Sequence, residues 1–202
     1  MPETAHHEQH IPGYGTVAIR PLAPDKDARV IHTWVSQERA VFWGMTHLTE
    51  ARVVQVYAHM ATLDTHHAHL VTKDGEPVAL LQTYDPAADR VSECYEVRPG
   101  DTGVHLLVAP AAPGARRPGW TSALLTVVVD YVLRVLDRTR VVVDPDVRNT
   151  KALTRFERHG FTTGPEVVLP EIDLPDVYLP EKRARLAFLI RETAFTEATG
   201  TV

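Results

Sequence analysis

The residues best placed to do chemistry lie in Gly103-Val-His-Leu-Leu-Val-Ala-Pro110 and in the segment that follows a short loop, Arg116-Arg-Pro-Gly-Trp-Thr121, which opens onto an apolar run. The pattern reads as a strand, a turn rich in glycine and arginine, and the start of a long helix. Backbone N–H groups at a helix start point outward without intrahelical partners and carry the positive end of the helix dipole. A pyrophosphate fits there, with Arg116 and Arg117 alongside. Gly119 lets the backbone approach a phosphate closely.

The elements that must hold this turn can be read along the chain. Residues 1–15 read as a flexible polar tail and 196–202 as a second tail, with one domain over 16–195 between them. Thr16 to Arg20 reads as a strand. Pro24-Asp25 opens a helix carrying Val30, Ile31, Trp34 and Val35 on one face. Phe42-Trp43-Gly44-Met45 is expected to be a loop, and Thr49 to cap a second helix with Val53, Val54, Tyr57 and Met60 at helical spacing. Strands are expected at His69 to Thr72 and Pro77 to Tyr84, joined by an Asp74-Gly75 hairpin turn, and again from Arg90 to Val97. After the Gly103 strand come the Trp120 to Leu136 helix, a buried strand at Arg140 to Val143, and a helix capped by Asn149 and ended by Gly160. Two last strands, Val167 to Leu169 and Leu186 to Arg191, flank a proline-punctuated linker. This order predicts an α/β fold with a mixed, mostly antiparallel sheet, one parallel pair and about four helices.

Composition limits the function classes. The chain has 202 residues, is 44% apolar and 23% charged, and carries a net charge of −5 with no long basic run. That suits a globular domain and argues against nucleic acid as the main partner. No stretch is apolar and long enough for a bilayer, and the first ten residues lack a secretory pattern, so a cytoplasmic protein is expected. The single cysteine, Cys94, excludes internal disulfides and multi-thiolate metal sites, and reads as packing within a strand. The histidine groups His6-His7-x-x-His10 and His66-His67-x-His69 lack a neighbouring carboxylate or cysteine to complete a ligand set, so no metal is expected.

Arg116-x-x-Gly119-x-Thr121 resembles the R/Q-x-x-G-x-G/A turn of the GNAT acyltransferase superfamily, whose members bind acyl-coenzyme A there. Thr121 stands where glycine or alanine is usual. Phe42-Trp-Gly-Met45, the run Gly100 to Leu107, Asp144-Pro-Asp-Val-Arg-Asn149 and Leu179-Pro-Glu-Lys-Arg-Ala184 resemble the siderophore-biosynthesis branch of that superfamily. Its members acylate the side-chain nitrogen of lysine, or an N-hydroxylated lysine or diamine, to build hydroxamate iron chelators.

The resemblance implies an acyl-CoA co-substrate, acetyl-CoA or succinyl-CoA, and a small-molecule amine or hydroxylamine acceptor, in a monomer or homodimer. It implies His105 as general base and Asp146 as its partner. A thioester must be attacked by a neutral nitrogen, and histidine suits proton removal near pH 7. Asp146 or Asp144 can equally cap a turn or the Asn149 helix, and Arg148 can contact coenzyme or be a surface charge. Coenzyme contacts are expected from Leu107, Val108, Arg116, Arg117, Gly119, Trp120, Thr121 and Asn149, with an oxyanion-stabilising amide at Leu107 or Val108. Phe42, Trp43 and Met45 offer an apolar wall for a methylene chain. Gln82, Tyr84, Tyr95 and Glu96 are expected polar contacts on antiparallel strands, and Glu93 or Glu96 can meet a far amine. The alternatives are a lysine N6-acyltransferase on the plain amine, a GNAT acetyltransferase for another amine such as an antibiotic, and a non-catalytic acyl-CoA binder.

Overall fold

The alternation of Val17 and Ile19, both fully buried, with half-buried neighbours gives β2 (Gly15–Pro21) one covered face. The computed structural model describes residues 7–111, 117–174 and 177–195. Where the sequence suggests one domain, contacts divide the chain into two compact units, Met1–Thr83 with His105–Val128, and Tyr84–Val104 with Val129–Val202.

In the first unit β2 pairs antiparallel with β1 (His7–Ile11) on one side and β3 (His66–Lys73) on the other. The expected tail therefore contains a strand. β1 carries no run of apolar residues to announce it, and its order comes from backbone pairing with β2. Residues 1–6 lie outside the described residues. β3 turns into β4 (Glu76–Tyr84) through Asp74 and Gly75, whose φ values of 50° and 88° match the left-handed pair that an Asp-Gly hairpin requires. Helices α1 (Pro24–Val35) and α2 (Glu50–Met60) set Ile31, Trp34, Val35, Val53 and Tyr57 against Leu70, Leu80 and Leu107 in one apolar cluster. Pro24 starts α1 without losing a needed donor, and the Thr49 side chain accepts from Arg52 N to cap α2. Phe42 and Trp43 of the expected loop close a 3-10 helix over Glu38–Trp43, ended by Gly44 at φ 81°.

The second unit holds the N-terminal half of β5 (Asp101–Val108) beside β6 (Arg140–Val143), then β10 (Lys182–Ile190) and β7 (Thr162–Leu169). β5 and β6 form the expected parallel pair, with Gly103 opposite Val142, and β10 runs antiparallel to both β6 and β7. The last two strands are longer than expected, and Arg191 opens α5 (Arg191–Ala194) rather than ending a strand. The linker between them holds a small hairpin, β8 (Ile172–Leu174) with β9 (Val177–Leu179).

The strand expected from Arg90 to Val97 does not form. Asp85 and Asp89 accept from Ala87 N and Val91 N at 2.9 Å, and these side chains start two short 3-10 helices, Pro86–Ala88 and Arg90–Glu93. Cys94 thus sits beyond a turn, where its Sγ donates to Val168 O at 3.3 Å and burial, with the Glu93 charge, pushes the thiol pKa up. α3 (Trp120–Asp130) continues as a π-helical turn, Tyr131–Val135, and α4 (Thr150–Arg158) has Asn149 at its start, as expected. No described helix is long and apolar enough to cross a membrane.

One buried ion pair anchors the start of β5. Arg140 Nε and Nη2 donate to the two Asp101 carboxylate oxygens at 2.7 and 2.6 Å, and Tyr95 OH and Arg98 N donate to Oδ2. The Asp101 side chain is 1% exposed. Burial alone would raise its pKa, and the hydrogen bonds from Arg140 and Arg98 outweigh this and lower it. A carboxylate with a folded pKa below its unfolded one stabilises the fold above the unfolded value and loses that contribution as pH falls through the folded value. Asp101→Asn leaves a buried guanidinium unpaired and is expected to cost about 3 to 5 kcal/mol at neutral pH. Chemical denaturation as a function of pH checks this: the difference between variant and wild type should shrink in acid.

Candidate functional site

His105 is half-buried in the part of β5 that belongs to the first unit. Strand alternation puts it on the same face as Leu107, which joins the α1 and α2 cluster. Its Nδ1 lies 3.3 Å from Gln82 Oε1 on β4. Gln82 Nε2 donates to Tyr57 OH of α2 at 3.3 Å, and Trp43 Nε1 donates to the same hydroxyl at 3.3 Å. The hydroxyl in turn faces Met45 Sδ at 3.9 Å. The Trp43 ring stands edge-on to the imidazole, with centroids 6.3 Å apart at 76°. Four sequence candidates, Trp43, Met45, Gln82 and His105, are thus brought together. Phe42 lies in the same 3-10 helix and is 39% exposed.

The residue that joins them, Tyr57, was read only as part of a helix face. It is 1% exposed, and burial pushes its pKa well above the tyrosine range against the opposing effect of its Trp43 and Gln82 hydrogen bonds. The available signal was a hydroxyl on an otherwise apolar helix face, since a buried hydroxyl needs partners.

The turn before α3 is braced by the N-terminal hairpin. Tyr14 OH donates to Pro118 O at 2.7 Å, Arg117 Nη1 donates to Gly13 O at 3.0 Å, and the Tyr14 and Trp120 rings tilt together at 5.8 Å. Gly119 has φ +80°, and a Cβ there would meet the Tyr14 hydroxyl at 2.5 Å. Thr121 lies half-buried in the first turn of α3, and Arg116 lies outside the described residues. Tyr14 and Gly13, which sit in the expected tail, are the neighbours that the sequence reading missed. Upstream of the turn, Ala109 N donates to Val78 O while Arg39 Nη2 donates to the Val108 carbonyl at 2.6 Å.

The remaining candidates belong to the second unit. Asp146 Oδ1 accepts from Arg148 N, and Arg148 Nε and Nη2 grip the two carboxylate oxygens at 2.8 and 2.7 Å. The Arg148 hydrogen bonds hold the Asp146 pKa below its usual range against burial. Asn149 Oδ1 accepts from Ala152 N, the helix-cap role. Tyr84 is buried with its ring against Gly103 and its OH donating to Asp144 Oδ1 at 3.3 Å; Asp144 also receives Lys182 at 3.0 Å. Tyr95 donates to Asp101 and packs on Phe188. Glu93 and Glu96 are exposed around the 3-10 turn, so no strand presents Tyr95 or Glu96. Among the described residues no cluster of three His, Cys, Asp or Glu side chains is gathered to hold a metal. His69 of β3 is buried with Nε2 3.3 Å from Thr83 Oγ1.

A mixed sheet with one parallel pair, a histidine on the strand of that pair and a glycine turn opening the next helix define an acyltransferase-type fold, and the comparison with known families agrees. Residues 23–169 match the acetyltransferase (GNAT) domain, and the chain belongs to that family. Over 184 residues it is 28% identical to N(6)-hydroxylysine O-acetyltransferase of Escherichia coli, covering 90% of this chain and 54% of that protein. It is 23% identical over 146 residues to N-hydroxyputrescine acetyltransferase of Acinetobacter baumannii, covering 72% of this chain and 67% of the relative. The chain therefore spans about half to two thirds of these relatives. The crystal structure of an uncharacterized Bacillus halodurans protein superposes with a TM-score of 0.77 at 21% identity, covering 93% of this chain and 91% of that one.

Gly119→Ala places a side chain in a left-handed conformation and against an anchored tyrosine. We expect a loss of about 1 to 3 kcal/mol in unfolding free energy. The companion Tyr14→Phe, Gly119→Ala double variant should recover the steric part of that loss in the same denaturation experiment.

Proposed function

We propose that this chain is an acyl-CoA-dependent N-acyltransferase that acylates an N-hydroxylated diamine or lysine side chain in hydroxamate siderophore assembly. The observation that carries the reading is the imidazole of His105 on β5, upstream of the glycine turn that opens α3. The names of two relatives, an N(6)-hydroxylysine O-acetyltransferase and an N-hydroxyputrescine acetyltransferase, support the acceptor class.

In this reading the coenzyme pyrophosphate lies on the amides at the start of α3, with Arg117, Gly119, Trp120 and Thr121 around it. The hydroxylamine nitrogen attacks the thioester carbonyl. A C–N bond forms as the C–S bond breaks, the nitrogen's proton passes to His105, and the departing thiolate takes a proton in turn. Alternation along β5 supports Val108 over Leu107 as the oxyanion donor. Ala109 points its amide at β4, so Val108 presents its N–H and C=O to the opposite edge, where Arg39 already holds the carbonyl. Val108 N–H is the donor in this scheme, and Leu107 faces β4. Trp43 and Met45 offer apolar surface to the methylene chain. Acetyl and succinyl donors both suit the chemistry.

Mass-spectrometric detection of product from acetyl-CoA or succinyl-CoA with N-hydroxycadaverine, N-hydroxylysine, cadaverine and lysine tests the reading. Faster turnover of the hydroxylated acceptors is expected, and no turnover of any acceptor would refute it. His105→Ala should lower kcat about 10² to 10⁴-fold with a plain amine, the usual range for losing a general base. The loss should be smaller with a hydroxylamine, whose nitrogen is already neutral. Asp146→Asn, which weakens its grip on Arg148, is expected to reduce kcat about tenfold if its charge serves turnover. An unchanged kcat would confine Asp146 to its turn.

A further inference from the structure

We infer that Gln82 is a positioning residue that fixes the tautomer of His105, and that Tyr57 and Trp43 fix Gln82. The inference rests on the reading of His105 as the base and adds which ring nitrogen takes the proton.

The argument is one of donor and acceptor polarity. An indole N–H only donates, so Trp43 Nε1 makes Tyr57 OH an acceptor. The hydroxyl has one proton, and that proton is directed at Met45 Sδ. Gln82 approaches the hydroxyl with its NH₂ group, at 3.3 Å. A carboxamide that turns its nitrogen to Tyr57 turns its oxygen the other way, and that oxygen lies 3.3 Å from His105 Nδ1. A carbonyl oxygen only accepts, so Nδ1 carries the proton. In the neutral ring the lone pair then sits on Nε2, which becomes the accepting nitrogen.

Free histidine prefers its proton on Nε2, so the protein must supply a bias to reverse the preference. Here the bias begins in the 3-10 helix with Trp43, crosses α2 at Tyr57 and reaches β5 through β4. The same chain explains why a buried tyrosine hydroxyl stands on an apolar helix face. It also reassigns Gln82, expected from sequence to contact the acceptor. A carboxamide at this position adds no charge beside the ring, unlike the carboxylate that orients imidazole in many hydrolases.

The experiment is two-bond ¹H–¹⁵N correlation on protein labelled at histidine, recorded above the ring's titration and assigned with His105→Asn. Wild-type His105 should give the Nδ1–H pattern. Gln82→Leu should move it toward Nε2–H and lower kcat about tenfold, with KM for the acyl-CoA unchanged. Tyr57→Phe should give a mixture, and provides the same readout if the leucine variant does not fold. In Gln82→Glu the acid limb of the kcat/KM profile should shift to higher pH by a unit or more, since an adjacent anion favours the imidazolium. An Nε2–H pattern in the wild type, or an unchanged tautomer in Gln82→Leu, overturns the inference. So does a Gln82→Leu effect confined to KM for the amine. A full rate in His105→Ala, with the Nδ1–H pattern observed in the wild type, would instead sink only the base assignment, so the two failures are distinct.

Discussion

The pairing of Asp101 with Arg140 is the constraint on which the register of β5 depends. A guanidinium held in the core must keep its carboxylate partner, so Asp101 has one permitted position along β6. Strands repeat every two residues, and a slip of one residue would send every side chain to the opposite face. With Asp101 fixed, Gly103, His105 and Leu107 share a face by alternation. The contacts to β4 step in the same rhythm: Gly103 lies against Tyr84, His105 meets Gln82, and Ala109 bonds to Val78. Glycine at 103 follows from this, because the Tyr84 ring occupies the space a side chain would need. An ion pair at the start of β5 thus fixes its register against β6.

Much of the fold could be read from local signals because those signals are themselves short-range. Thr49 and Asn149 cap helices through side chains that reach only three residues, Asp74-Gly75 selects its turn by its own φ angles, and the valine run of β6 is buried throughout. What went unread depends on partners distant in sequence. β1 is polar, exposes alternate residues, and becomes a strand only because β2 offers an edge. The segment from Arg90 to Val97 has strand-like residues, yet Asp85 and Asp89 capture backbone amides first and commit it to turns. The small β8 and β9 hairpin lies in a linker where prolines obscure any alternation.

The candidate site divides the same way. The motif residues His105 and Gly119 and the aromatic pair of Phe42 and Trp43 were legible because each belongs to a compact string. Tyr57 and Tyr14 were not, since each acts through a hydroxyl whose partner lies far along the chain: Gln82 in one case, Pro118 in the other. Gln82 was legible only as a candidate polar contact, because a strand pattern shows that a polar side chain faces inward without showing what it meets. Tyr84 and Tyr95 were likewise legible only as candidate polar contacts. Both hydroxyls are consumed by carboxylates, Asp144 and Asp101, that hold the second unit together.

The sulfur of Cys94 has a practical bearing. It is the sole thiol of the chain, it is hydrogen-bonded to the Val168 carbonyl, and its surroundings disfavour ionisation. Chromogenic disulfide reagents react with thiolates. In a continuous colorimetric assay this protein would contribute little background of its own, leaving the signal to coenzyme liberated in the reaction.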